Sequence, residues 1–181
     1  RDNGGFYLGD DHATLATMLR SAGYRTGGFV SAFVLDHRWG IGRGFDRYFD
    51  DFDLAKYRVD AGLDAVQRPA AEVVDKTIEW LDQDSAVPFL AWVHLYEPHA
   101  PYDPPEPIRV RFPPTMAGAY DGEIATADLQ VGRLLDHLAD RGRLDRTLVV
   151  VLGDHGESLG EHGEEQHGFF VYDADIHIPL I

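Results

Sequence analysis

Apolar positions divide the chain into alternating helical and extended stretches. Over 14–22, Leu15, Met18, Leu19 and Ala22 recur at helical spacing, and Gly23 stands where a helix C-cap belongs. Residues 26–33 then read as a strand. Residues 40–53 mix glycines, aromatics and acids without a clean period, which predicts a loop with short extended pieces. Pro69 can open a helix, and Ala70, Val74, Ile78 and Leu81 keep helical spacing to about Asp82. The run 88–95, Pro-Phe-Leu-Ala-Trp-Val-His-Leu, predicts a buried strand, and the proline-rich 98–114 predicts a loop. Residues 124–139 form the strongest helical pattern, with Ile124, Ala127, Val131, Leu134, Leu135 and Leu138 on one stripe. A second buried strand is predicted over 146–152, which is near-continuously apolar, as parallel strands covered on both faces are.

Helix then strand, three times over, indicates an α/β layer with a mainly parallel sheet. Ligands in such sheets sit beyond the carboxyl ends of the strands. Two polar clusters follow two predicted strands, 94–102 after one and 154–157 after the other. Parallel strands would bring both to one crevice. No internal repeat or low-complexity segment interrupts this organisation.

The 181 residues suffice for one ordinary domain. Hydrophobic residues make up 44% and charged residues 26%, both normal for a globular chain. The net charge of −15, from 31 acids against 16 bases, argues against nucleic acid as a partner. No apolar run is long enough to span a bilayer. The opening Arg1-Asp2-Asn3-Gly4-Gly5 is neither apolar nor led by Met, so no signal peptide is visible. A chain opening on Arg in mid-pattern reads as a fragment or a processed product. Cysteine is absent, which removes disulfides, thiolate ligands and thiol nucleophiles from this stretch and leaves periplasmic, secreted and cytoplasmic locations all open. Seven of the nine histidines fall between His94 and His177, which directs attention to that half.

Asp154 and His155 sit between Gly153 and Gly156 at the end of a predicted strand. The glycines allow a sharp turn and leave room for a ligand. Carboxylate oxygen and imidazole nitrogen both suit a borderline divalent ion. The alternative is a turn in which Asp154 caps the next helix, with Glu157 three residues on completing a capping box. His162 and His167 are five apart, about 140° around a helix, with Gly163 between them. That spacing excludes a zincin site, and each histidine alone also suits an ordinary surface position. Prolines on both sides of His99 stiffen the backbone and preset its ring, either for an oxyanion or for a neighbouring carbonyl. Tyr120-Asp121-Gly122-Glu123 reads as acids favouring the start of the long helix. Gly40-Ile41-Gly42-Arg43-Gly44 lacks the ending and the setting of a phosphate loop.

Together these stretches resemble the sulfatase family of the alkaline phosphatase superfamily. The resemblance runs through 14–26, the Gly44-Phe45-Asp46 turn, 93–102, 131–136, Gly153-Asp154-His155-Gly156-Glu157 with Leu159-Gly160-Glu161-His162-Gly163, and 172–181. It implies an α/β fold, an alkaline-phosphatase-like, mainly parallel sheet flanked by helices. The sheet would be incomplete, because residues 1–181 match only part of a single catalytic domain. The Cys- or Ser-x-Pro-x-Arg nucleophile motif and the early acidic pair of metal ligands are absent, and a C-terminal part is missing too. A formylglycine nucleophile would then lie upstream, outside this chain.

Carried over, the resemblance makes Asp154 and His155 metal ligands, and His99 and His167 substrate-binding and catalytic residues. His155 stands where many sulfatases have asparagine, and His167 where many have lysine. A histidine-glycine pair there is also similar to phosphoethanolamine transferases. The implied parent is a metal-dependent sulfuric ester hydrolase acting on a small-molecule or glycan sulfate or phosphate ester, with Ca, Mn, Zn or Mg as the ion. This chain alone would be inactive. The alternatives are a phosphodiesterase, phosphonate hydrolase or phosphoethanolamine transferase of the same superfamily, or a non-catalytic binding module that keeps the fold. Neither nucleic acid nor a membrane span is expected, and the oligomeric state is left open.

Overall fold

The computed structural model describes residues 6–56, 66–83, 86–164, 166–168 and 170–181. The opening 1–5, read above for a signal peptide, lies outside the described residues.

A three-stranded parallel sheet flanked by helices organises the chain. Helix α1, Leu15–Ser21, starts at Thr14, whose side chain accepts from the Thr17 backbone N–H in a capping box. It stops where Gly23 takes φ 86°, the left-handed conformation that glycine adopts without penalty. Strand β1, Arg25–Val30, follows and is the sheet's centre. Strand β2, Arg47–Phe49, pairs with it from Gly27↔Arg47 to Phe29↔Phe49. On the other side lies β3, Phe89–His94, paired from Arg25↔Phe89 to Val30↔His94. Helix α2, Ala70–Gln83, crosses between β2 and β3, and buries Val73, Val74, Thr77, Trp80 and Leu81. Helix α4, Met116–Asp140, packs against α2 and buries Leu138. A short α3, Glu106–Arg109, precedes it, and α5, Asp173–Ile176, lies near the end of the chain. The core joins Phe29, Phe49, Val73, Trp80, Leu81 and Leu138, with Trp80 edge-on to Phe29 at 5.6 Å. No described helix is long and apolar enough to cross a membrane.

Five expectations are corrected. The α1 face carrying Leu15 and Met18 is exposed, and Ala16 is its buried residue. Helix α4 starts at Met116, so Tyr120, Asp121, Gly122 and Glu123 lie inside it rather than ahead of it. Glu123 is buried and accepts from the Asp103 N–H at 2.8 Å; burial raises its pKa. The 98–114 loop contains α3, whose Ile108 is buried.

The fourth correction concerns 146–152. The segment is extended over 147–152 but is not part of the three-stranded sheet. It pairs instead with the chain's last residues. Val151 and Ile181 exchange N–H to O bonds of 2.9 Å, and Leu152 bridges Leu180 in antiparallel fashion. Leu148, Val150 and Leu152 are exposed, because a strand buries both faces only when neighbours cover both. Strand β3 is likewise half-buried rather than buried, pairing only on its β1 side among the described residues.

Candidate active site

Strand β3 delivers His94 to the carboxyl edge of the sheet. The Ser31 hydroxyl, from the end of β1, donates to the His94 carbonyl at 2.9 Å and ties the two strand ends together. Burial lowers the pKa of the His94 ring, and the nearby Asp154 charge opposes that shift. Asp154 therefore lies close to the end of β3.

The loop after β3 is held at both ends. Glu97 Oε1 accepts from the Ala70 N–H at 2.9 Å, which anchors the loop to the first turn of α2. The Pro98 and Pro101 peptide bonds are cis. His99 donates its backbone N–H to the Tyr96 carbonyl at 2.8 Å, and its ring stacks on Tyr96 at 4.2 Å between centroids. His99 Nδ1 lies 2.7 Å from the Ala100 carbonyl oxygen. A carbonyl only accepts, so Nδ1 carries the proton and Nε2 is left bare in the neutral ring.

The 147–152 segment delivers the second loop. Asp154 Oδ1 accepts from the His155 N–H at 3.1 Å. His155 Nδ1 lies 2.7 Å from the Gly156 carbonyl oxygen, so it too has a bare Nε2. That Nε2 stands 3.9 Å from Asp154 Oδ2, and the Asp154 side chain is 84% exposed. Gly156 donates to the Asp175 carbonyl at 2.7 Å, and a Cβ at Gly156 would lie 1.9 Å from the Ala174 carbonyl oxygen. The room at this glycine is taken by the chain's own backbone, not by a ligand. Beneath it, the buried Ser158 hydroxyl donates to Asp175 Oδ1 at 2.8 Å.

Asp154 and Glu157 do not form a capping box, because residues 155–158 are not helical. Glu157, whose side chain is 5% exposed, instead accepts from the His167 backbone N–H at 2.7 Å and faces His167 Nδ1 at 2.9 Å. Tyr102 lies beside Glu157, and its phenol pKa is raised by burial first and by the Glu157 carboxylate second. Tyr120 of α4 is shifted the same way by the same two causes.

These contacts bring the two polar clusters into one crevice. The His167 ring lies 3.9 Å from His155 and 5.6 Å from His99, centroid to centroid. Asp154, His155, His99 and His167 thus come together, although the segment leading to Asp154 is not a strand of the three-stranded sheet. His162 does not join them. It takes φ 58° and stacks on Tyr172 at 4.1 Å.

Asp154 and His155 carry donor types that could hold a divalent ion. Each Nδ1-to-carbonyl contact of this kind sets ring orientation and leaves Nε2 as the donor, as in established metal-binding histidines. Two donors sharing a tetrahedral ion at about 2.0–2.2 Å stand roughly 3.3–3.6 Å apart, so the observed 3.9 Å would have to close by a few tenths of an ångström on binding.

A further cluster escaped the sequence reading. Asp36, His37 and Asp50 are the one group among the described residues that brings three donor atoms within 4.8 Å of one another. Each has structural work already. Asp36 caps the turn His37–Trp39 through the Arg38 N–H, and Asp50 takes both the backbone N–H and the ring Nδ1 of His37 at 2.6 Å. That contact with Asp50 raises the His37 pKa. Spacing carries no sign of the cluster, because Asp50 reaches it only through the β1–β2 pairing. The glycine run 40–44 likewise has a structural use: the Arg43 guanidinium donates to the Gly9 and His12 carbonyls.

A family model described as Sulfatase matches residues 2–181. The chain belongs to the sulfatase family. Human iduronate 2-sulfatase is 39% identical over 75 residues, 41% of this chain and 14% of that protein. An arylsulfatase of Clostridium perfringens is 26% identical over 160 residues, 62% of this chain and 33% of that protein. Among solved structures, a phosphonate monoester hydrolase of Agrobacterium radiobacter superposes with a TM-score of 0.75 at 20% identity, covering 96% of this chain and 53% of that one. A protein in complex with its substrate D-glucosamine-2-N,6-O-disulfate gives 0.71 at 18% identity, covering 99% and 56%. The superpositions show that this sulfatase chain has the superfamily's α/β fold. The chain spans a third or less of these two curated relatives and about half of these two solved structures.

Proposed function

We propose that this sulfatase chain supplies one half of a divalent-metal-dependent centre that hydrolyses sulfuric esters, on a small-molecule or glycan substrate. The reading is carried by the convergence of Asp154, His155, His99 and His167, with His167 3.9 Å from one imidazole and 5.6 Å from another. Asp154 and His155 would hold the ion. A bound divalent ion polarises an ester oxygen and lowers the pKa of the nucleophile. An imidazole ligand favours zinc or manganese over calcium and magnesium, which prefer oxygen. His99 and His167 border the space beyond, where either ring, once it has taken a proton on Nε2, can donate to the oxyanion or pass that proton to the leaving oxygen. The nucleophile, a formylglycine hydrate or a serine, comes from residues outside this chain. Half a shell binds metal weakly, so the chain alone is inactive.

Phosphodiester or phosphonate hydrolysis, or phosphoethanolamine transfer, is the second reading, favoured by the imidazoles at His155 and His167. The test is turnover of nitrophenyl sulfate and nitrophenyl phosphate by the full-length parent with Ca, Mg, Mn or Zn, with this chain run in parallel. Metal-dependent sulfate release that disappears on Asp154→Ala supports the first reading. Preference for the phosphate substrate selects the second. A parent bearing a proper nucleophile that hydrolyses neither, nor any diester, leaves a non-catalytic module.

A further inference from the structure

Three rings border the crevice, and each has Nδ1 against a protein acceptor. For His99 and His155 that acceptor is a neutral carbonyl, from Ala100 and Gly156. For His167 it is a carboxylate, and a buried one. We propose that Glu157 is a positioning residue, whose carboxylate holds the His167 ring as the Nδ1–H tautomer and presents a bare Nε2 to the crevice.

The geometry leaves little choice. Glu157 Oε1 takes the His167 backbone N–H at 2.7 Å and meets the ring Nδ1 at 2.9 Å, so one oxygen sets both the residue's backbone and its ring. That oxygen already acts as the acceptor of the backbone N–H, so the proton in the ring contact lies on Nδ1. The opposite tautomer would set a nitrogen lone pair against the carboxylate oxygen, which is repulsive. The tautomer of an imidazole follows the hydrogen bond made by its other nitrogen, and partners of this kind act by orienting the ring. Glu157 is itself enclosed, with the Tyr102 and Tyr120 rings nearby. The functional consequence rests on the hydrolase reading: Nε2 is then the one atom through which His167 accepts a proton or delivers it to the ester.

The test uses proton–nitrogen correlation spectra of the histidine rings in the 181-residue chain, above neutral pH and without metal or ester. His167→Gln assigns the signals. The wild-type chain should show a protonated Nδ1 and an unprotonated Nε2 at His167. Glu157→Ala should reverse the two signals, because an unrestrained imidazole favours the Nε2–H form, while His137 on α4 keeps its pattern and reports intact folding. Glu157→Gln, which retains an accepting oxygen, should preserve the wild-type pattern. An Nε2–H ring in the wild type overturns the proposal, as does a Glu157→Ala chain that is folded yet unchanged at His167. Should Glu157→Ala not fold, the wild-type and Glu157→Gln spectra still decide. Because neither metal nor turnover enters, failure here leaves the hydrolase reading standing. An inactive parent would in turn leave the tautomer result intact.

Discussion

Gly156→Ala is expected to loosen the candidate site from behind. The added Cβ would lie 1.9 Å from the Ala174 carbonyl oxygen, against 3.4 Å for ordinary contact. Relief requires the 153–157 loop to retreat from α5 by about 1.5 Å, which breaks the Gly156 N–H to Asp175 bond. Overpacking of this kind costs about 1–3 kcal/mol. The lost hydrogen bond adds roughly 1 kcal/mol. The loop cannot cost more than its own docking energy, so undocking without global unfolding caps the effect. Urea denaturation should therefore show a loss of up to about 4 kcal/mol if the loop stays docked. If it undocks, the Gly156 amide should exchange with solvent far faster than in the wild type. In both cases the nuclear Overhauser contact between the His155 and His167 rings, 3.9 Å apart, should weaken, because His155 and Glu157 flank the displaced residue. A variant within about 0.5 kcal/mol of the wild type that keeps both the slow amide and the ring contact would refute the reasoning.

Other outcomes follow from the same contacts. Gly132 on α4 has open space where a Cβ would go, so Gly132→Ala should raise stability by about 0.5–1 kcal/mol in urea denaturation; a loss would mean the helix is not continuous there. Leu81, fully buried in the core, should cost about 2–5 kcal/mol on truncation to Ala, measured the same way. Asp50 raises the His37 pKa, so the stability that His37 contributes is complete below about pH 6.5 and is lost as pH rises through the raised value. The stability difference between wild type and His37→Asn should accordingly shrink with rising pH, and a difference independent of pH would refute the pairing. Glu123 has its pKa raised by burial, so its charging costs stability as pH rises through that value; Glu123→Gln should flatten that part of the profile while retaining the bond from Asp103.

Periodicity carried the elements that pack on one face only. Val74 and Leu81 of α2 keep their spacing because one stripe meets the sheet. The apolar stripe marks α4 only from Ile124, because 116–123, with Gly118 and Gly122, carries no such stripe. Each is small because something presses on it: a Cβ at Gly118 would meet the Pro113 carbonyl at 2.1 Å, and one at Gly122 the Pro104 ring at 2.7 Å. The run 146–152 departs from the buried strand it predicts for the opposite reason. Apolar content marks a segment able to be buried, but burial depends on which neighbours are present. At the site, His99 and Asp154 do come near one another, but through loop contacts rather than through two parallel strands, since 147–152 lies outside the sheet. The role of Glu157 was not legible, since its partner His167 lies ten residues on, across an irregular loop. Asp50 was invisible for the same reason, its distance from His37 being set by sheet register rather than spacing.

The exposed strip at 147–152 has a consequence for handling the chain. Thr147-Leu148-Val149-Val150-Val151-Leu152 is a six-residue window without charge or proline, rich in β-branched residues. Its pairing with the last residues leaves Leu148, Val150, Leu180 and Ile181 facing solvent. Such windows template intermolecular β-pairing, and the flanking Arg146 and Asp154 are the nearest charges that oppose it. Asp154 thus ends the sticky window as well as facing His155, so neutralising it to test the proposed metal site also removes a guard against aggregation.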